Sequence, residues 1–111
     1  MKKYFFLLSV VFIAACSTTK ILAPVQADAD RGKSTYADLT LAQLSDGHQI
    51  YMASCNKCHP YKAPGSRTVE NWKHTIPEMT VKANHKLGNT IDAAHEEALL
   101  RYVSVMAKPA K

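Results

Sequence analysis

Apolar and polar positions recur with a helical period through most of the chain after residue 40. In segment 41–59 the apolar residues fall close to one stripe of period 3.6: Leu41, Leu44, Ile50, Tyr51 and Cys55. This spacing predicts an amphipathic helix, and Asp46 and Gly47 are its weak points.

A second helix is predicted from residue 69 onward. Thr68 is a plausible N-cap, and Glu70 places an anion in the first turn, where the helix dipole favours it. The apolar residues at i, i+4 and i+7 share one face: Trp72, Ile76 and Met79. Pro77 lies inside this segment, so we expect the helix to kink or restart there.

A third helix is predicted to start around Asp92 and to run up to Pro109. Its apolar positions are Leu99, Leu100, Tyr102, Val103 and Met106. No segment alternates convincingly with a period of two residues, so the sequence predicts an all-α fold.

The N-terminus has the three parts of a secretory signal: Lys2 and Lys3, an apolar run of about a dozen residues, and small residues before Cys16. The run is shorter than the roughly 20 residues that cross a bilayer. The sequence IAAC at 13–16 resembles a bacterial lipobox. That resemblance implies a signal peptide over 1–15 and lipidation of Cys16, and Ser17 is similar to a signal for outer-membrane rather than inner-membrane sorting. An ordinary cleaved signal is the alternative.

Residues 16–39 are mostly short and polar, without a periodic pattern, and are predicted to form a flexible tether. A coil of that length spans on the order of 25 to 30 Å. The domain is then expected over residues 40–111. A domain this small usually needs a metal, a disulfide or a cofactor to be stable.

The charge gives little indication of a nucleic-acid partner. Removing Lys2 and Lys3 from the 14 basic residues leaves twelve against 9 acidic ones, a small positive excess. Neither a basic block nor a repeated aromatic platform is present in the sequence, so nucleic-acid binding is not expected.

The sequence SCNKCHP at 54–60 carries the most specific chemistry. Cys55, Cys58 and His59 form a CxxCH motif, the attachment signature of c-type haem. If the motif closes the first helix, these residues lie at i, i+3 and i+4 and emerge on one side. Two thiols could then add to the haem vinyl groups while the imidazole binds iron.

Three other interpretations of the motif each lack a part. A structural zinc site needs a fourth ligand, which would have to be His74 or His85. A thioredoxin-like dithiol needs a preceding strand and a βαβ setting, which the sequence does not indicate. A disulfide between Cys55 and Cys58 would close a very small loop and contribute little chain entropy.

The segment from Leu44 to Met106 resembles a monohaem c-type cytochrome of the class I kind, in its compact bacterial form. The resemblance rests on four features: G-x-x-I-Y at 47–51, CNKCH, a tryptophan followed by a methionine, and a last helix containing LLRYV. It implies a small cytochrome c-like helical domain around one covalent haem. It also implies that Gly47 lets the first and last helices cross closely against Tyr102.

The resemblance also suggests the ligands of the haem. His59 and Met79 would be the axial ligands of the iron, and His74 and His85 are the rivals of Met79 as the sixth ligand. A carbonyl of the loop after His59, with Pro64 as the candidate, would accept the other ring proton of the axial histidine. Arg67 and Trp72 are the candidates for holding a haem propionate, and each is also readily explained as a solvated charge or a core residue.

A haem iron with both axial positions filled exchanges electrons without binding a substrate. The resemblance therefore implies an electron carrier rather than an enzyme, lipid-anchored in the bacterial cell envelope, facing the periplasm and exchanging electrons with redox protein partners. The alternatives are a haem enzyme or a gas or redox sensor with an exchangeable sixth ligand, and a haem subunit of a larger respiratory complex. Five lysines are candidates for a basic rim that attracts acidic partners: Lys57, Lys62, Lys73, Lys82 and Lys86.

Overall fold

The computed structural model describes residues 21–58 and 60–109, so the signal peptide, Cys16 and His59 lie outside the described residues. The expected all-α fold is confirmed, and the described part of the chain contains no named strand. The helices are α1 (Gln26–Gly32), α2 (Leu41–Ser54), α3 (Val69–Leu87) and α4 (Ala93–Met106), and a short 3₁₀ helix spans Pro64–Ser66.

Helix α2 begins with a reciprocal cap. The Gln43 amide donates to the Thr40 hydroxyl at 3.2 Å, and the Thr40 amide donates to the Gln43 side chain at 3.2 Å. This pair satisfies two backbone donors that the first helical turn leaves free.

The predicted extension of α2 to residue 59 is wrong, because the helix ends at Ser54 with Cys55 as its C-cap. The chain then turns back along α2. The Tyr51 hydroxyl donates to the carbonyl of Lys62, and the Tyr61 hydroxyl donates to the carbonyl of Met52 at 2.5 Å. These two hydrogen bonds fix a loop where the sequence period alone predicted continued helix.

Helix α3 has the predicted N-cap, since the Thr68 hydroxyl accepts from the Asn71 amide at 3.3 Å. The helix does not restart at Pro77 but continues as one element to Leu87. Pro77 is exposed, so water can solvate the backbone carbonyl that the missing proline N–H leaves without a donor. Gly88, with φ of 85°, ends the helix in the left-handed conformation that favours glycine.

Helix α4 also starts at the predicted cap, where the His95 amide donates to the Asp92 carboxylate at 2.8 Å. It packs mainly against α2 and α3. The main core is formed between these three helices by Tyr51, Trp72, Ile76, Ile91, Leu99, Tyr102 and Val103.

The prediction of a flexible tether over 16–39 is wrong for the described residues from 26 to 39. Helix α1 packs against α2 and α4, and a second small core contains Ala29, Leu39 and Leu44. A Cβ on Gly32 would lie 2.4 Å from Leu39 and 2.8 Å from Val105, so the small residue is needed for close packing. Short residues that are typical of a linker are here the contact residues of a helix.

No helix in the described ranges is long and apolar enough to span a bilayer.

Candidate functional site

A mostly apolar cavity lies between the end of α2, the loop that follows it, α3 and α4. Its volume is about 190 Å³, or about 900 Å³ with the open space at its mouth included. Its walls include five of the residues singled out from the sequence: Cys55, Cys58, Arg67, Trp72 and Met79. The fold therefore brings together side chains that are up to 24 positions apart in the sequence.

The two cysteines occupy different surroundings at one edge of the cavity. Both are free thiols; Cys55 is half-buried and Cys58 is exposed. Burial raises the pKa of the Cys55 thiol to about 11, because the thiolate would lose its hydration there. The cap position of Cys55 is fixed by its amide, which donates to the Tyr51 carbonyl at 3.0 Å.

Among the residues that the structure describes, Met79 is the only methionine in the wall of this cavity. It follows Trp72 and Ile76 on the inner face of α3, as the period predicted, and it is half-buried. The rival residues His74 and His85 are exposed and do not line the cavity, and His74 lies 3.4 Å from the Glu70 carboxylate. Met79 therefore adds a thioether, a soft donor, to the same cavity wall as the two thiols.

Trp72 forms a buried part of the wall, but its N–H already has a partner. The indole N–H donates to the Pro64 carbonyl at 2.8 Å. The expected bond from this N–H to a propionate is therefore not the one that the fold provides. The Pro64 carbonyl, expected to accept from the axial histidine, accepts instead from the Trp72 indole and, at 3.4 Å, from the Arg67 amide, so both of its lone pairs have donors.

Arg67 lies at the edge of the cavity and packs over the Trp72 ring, with its guanidinium carbon 5.4 Å from the ring centroid. The same guanidinium donates to the side chains of Asn71 and Thr75, each at 3.0 Å. These three contacts hold a permanent positive charge beside the apolar wall, where it can bind a carboxylate.

The five lysines of the predicted basic rim lie in different surroundings in the structure. Lys62 and Lys82 line the cavity. The Lys86 ammonium donates to the Lys57 carbonyl at 3.2 Å, which places the end of α3 beside the loop that follows α2, here called the anchor loop. Lys73 is not in the wall and lies 4.0 Å from Glu70. Lys82 pairs with Glu78 at 2.7 Å and thereby lowers the pKa of that carboxyl.

The sequence interpretation missed the residue pair that closes the far side of the cavity. Ile91 lines the wall and is 5% exposed. The side-chain amide of Asn84 donates to the Ile91 backbone carbonyl at 2.7 Å, and the Ile91 backbone amide donates to the Asn84 side-chain oxygen at 2.8 Å. An asparagine near the end of a helix is too common for sequence alone to have indicated this role.

Comparisons with protein-family models, curated proteins and solved structures gave no match to this chain. Within residues 21–58 and 60–109, no three or more His, Cys, Asp or Glu side chains lie together so as to hold a metal ion, and His59 lies outside these ranges. The assignment of the site therefore depends on the donor set around the cavity.

The donor set fits a c-type haem. Two free thiols, a thioether, a guanidinium and two lysine side chains line a mostly apolar space. Its volume of about 190 Å³ without the open mouth lies below the roughly 300 to 1,000 Å³ of cofactor and ligand sites, so a bound haem would also occupy the open mouth. The remaining ligand that the CxxCH motif supplies, His59, directly follows Cys58 in the sequence.

Proposed function

We propose that the protein binds one haem covalently in this cavity and acts as a one-electron carrier in the bacterial cell envelope. The single observation that carries the proposal is the convergence of Cys55, Cys58 and Met79 on one apolar cavity. The CxxCH motif predicts the attachment residues, whereas only the fold brings Met79 to the same space.

Each residue has a distinct part in this proposal. Cys55 and Cys58 would form the thioether bonds, and His59 and Met79 would bind the iron. The bound haem supplies reversible one-electron exchange at its iron. A methionine ligand raises the reduction potential relative to a second histidine. The apolar walls formed by Ile76, Ile91 and Leu99 exclude water around the cofactor.

Arg67 would neutralise a propionate at the edge of the cavity. It is already held there by Asn71, Thr75 and the Trp72 ring. A carboxylate placed beside it would gain a charge-assisted hydrogen bond, which is roughly twice as strong as a neutral one. Trp72 supports this function by shaping the wall rather than by donating its N–H.

The basic side chains at the mouth support exchange with negatively charged redox partners. Lys57, Lys62 and Lys86 lie around the anchor loop and the cavity edge. Positive charge around the exposed part of a cofactor raises the rate of encounter with an acidic protein, and salt weakens that effect. Lipidation at Cys16 would confine these encounters to a membrane surface, facing the periplasm.

The direct test is a pyridine haemochrome spectrum with intact mass analysis, on protein made in a cell that matures c-type cytochromes. We expect one haem per chain, a mass that includes two thioether bonds, and acyl chains on Cys16. A colourless protein, or a mass equal to that of the bare lipidated chain, would refute the proposal.

The sixth ligand is tested by Met79→Ala, with Met52→Ala as the matched control because Met52 is 37% exposed and does not line the cavity. We expect the ferric methionine charge-transfer band to vanish only in Met79→Ala. The haem enzyme or sensor alternative predicts that the unmodified protein is high-spin and binds carbon monoxide or cyanide at once. The half-exposed position of Met79 is the one observation in its favour.

A further inference from the structure

The chain between residues 21 and 25 is fixed to the domain, although the sequence predicted a free tether there. The Tyr102 hydroxyl donates to the Leu22 carbonyl at 3.2 Å, and a ring nitrogen of His48 lies 3.4 Å from the Ile21 carbonyl. Ile21 packs against the main core, and Pro24 is buried. The point at which the chain leaves the domain toward Cys16 is therefore defined.

This anchoring shortens the distance between the lipid and the domain. Five peptide steps separate Cys16 from Ile21. A chain of that length reaches at most about 18 Å when fully extended. The domain therefore has much less freedom than a tether of two dozen residues would give it.

Two large apolar side chains are exposed where the chain leaves the domain. Leu22 is 62% exposed and Val25 is 58% exposed, whereas Ile21 is half-buried and Pro24 is buried. Among the described residues, the other exposed large hydrophobic side chains are Met52 and Val81, on α2 and α3. Leu22 and Val25 thus form an apolar pair next to the predicted lipid attachment site.

We propose that Leu22 and Val25 are the face on which the domain rests on the lipid surface that holds Cys16. The proposal rests on lipidation of Cys16, which is part of the proposed function. A short link keeps the pair at a high effective concentration near the bilayer, so a weak apolar contact suffices to orient the domain. Asp28 and Asp30 on α1 pair with Arg31 and Lys33, so α1 and its C-cap offer no unpaired positive charge and the proposed contact does not need anionic lipid.

The test uses the full lipidated holoprotein in nanodiscs of phosphatidylcholine doped with a gadolinium-chelating lipid. Relaxation of the leucine and valine methyl groups is measured by NMR in the reduced state. Val81 is the matched control, because it is an apolar side chain with 71% exposure on another element. We expect several-fold stronger relaxation enhancement at Leu22 and Val25 than at Val81, with no change when anionic lipid is added.

Two variants make the result specific. Insertion of ten Gly and Ser residues between Lys20 and Ile21 should bring the enhancement at Leu22 and Val25 down to that of Val81. The double change Leu22→Ser and Val25→Ser should do the same at the Ile21 methyl groups, measured in an isoleucine-labelled sample. Equal enhancement at Leu22, Val25 and Val81 in the unmodified protein would overturn the proposal, as would the strongest effect at Val81. Acyl mass and haem absorbance are measured on the same sample. Absence of acyl chains overturns the lipid part of both proposals, whereas absence of haem alone overturns only the electron-carrier function.

Discussion

Gly47 of α2 lies directly against Tyr102 of α4. A Cβ built on Gly47 would be 2.7 Å from the Tyr102 Cβ and 2.3 Å from the Ala98 carbonyl oxygen. Tyr102 itself is fully buried. The two helices can approach this closely only because residue 47 has no side chain, and their contact positions α2, with Cys55 at its end, at the edge of the cavity.

Gly47→Ala should therefore lower the free energy of unfolding despite the better helix propensity of alanine. Overpacking of this kind costs about 1 to 3 kcal/mol. Gly65→Ala is the control, because its Cβ would meet nothing closer than 3.7 Å. Denaturant unfolding of the two holoproteins measures the difference, and equal midpoints would contradict it.

Trp72→Phe should destabilise the protein by about 1 to 3 kcal/mol, because it removes the buried 2.8 Å hydrogen bond to the Pro64 carbonyl and leaves that carbonyl only the 3.4 Å bond from the Arg67 amide. Tyr61→Phe is the matched control, since it removes one exposed hydrogen bond to the Met52 carbonyl. Thermal unfolding should show a clear shift for Trp72→Phe and a shift of less than about 1 kcal/mol for the control. The reverse order would show that the Pro64 carbonyl is satisfied in another way.

Asn84→Ala should loosen the wall of the cavity at Ile91, since both hydrogen bonds between these residues are lost. Amide hydrogen exchange at Ile91 should accelerate by roughly tenfold or more. Asn84→Asp keeps the acceptor for the Ile91 amide and loses only the donor, so its effect should be intermediate. Unchanged exchange in Asn84→Ala would mean that packing alone holds this loop.

Stability should fall at high pH because of Tyr102. Burial, the largest effect, together with Asp28 raises the pKa of this phenol from 10.0 to about 12. A raised pKa in the folded state means that the contribution to stability is complete below pH 10 and is lost as the pH rises toward 12. Unfolding measured between pH 9 and about 12 should show a shallower decline in Tyr102→Phe. An identical decline in both proteins would exclude Tyr102 as its source.

The lysines at the mouth should control the rate of reaction with charged oxidants. The triple change of Lys57, Lys62 and Lys86 to Glu should slow oxidation by ferricyanide about tenfold at low salt and accelerate oxidation by a cationic cobalt(III) complex. Lys73→Glu is the control, because Lys73 neither lines the cavity nor contacts the loop that follows α2 and instead lies 4.0 Å from Glu70. If the triple variant changed both rates in the same direction, the effect would not be electrostatic steering.

The local signals that determine helix ends were readable from the sequence. Thr68 and Asp92 cap α3 and α4 as predicted, because a hydroxyl or carboxylate before a helical run binds a free backbone amide wherever the rest of the chain lies. Haem attachment at the CxxCH motif, which residue type and spacing also suggest, stays a prediction. The contact between Gly47 and Tyr102 was expected from a family resemblance and is present in the fold.

Other features depended on partners distant in sequence. Residues 26–39 looked like a linker because Ala29 and Gly32 are small, yet small residues also permit the closest helix packing, and only the positions of Leu39 and Val105 decide between the two. The partner of the Trp72 N–H and the packing of Ile21 were decided in the same way. Helix caps and sequence motifs depend on neighbouring residues, so they can be recognised in the sequence alone. Burial depends on contacts between residues that are distant in the sequence, so only the tertiary structure decides it.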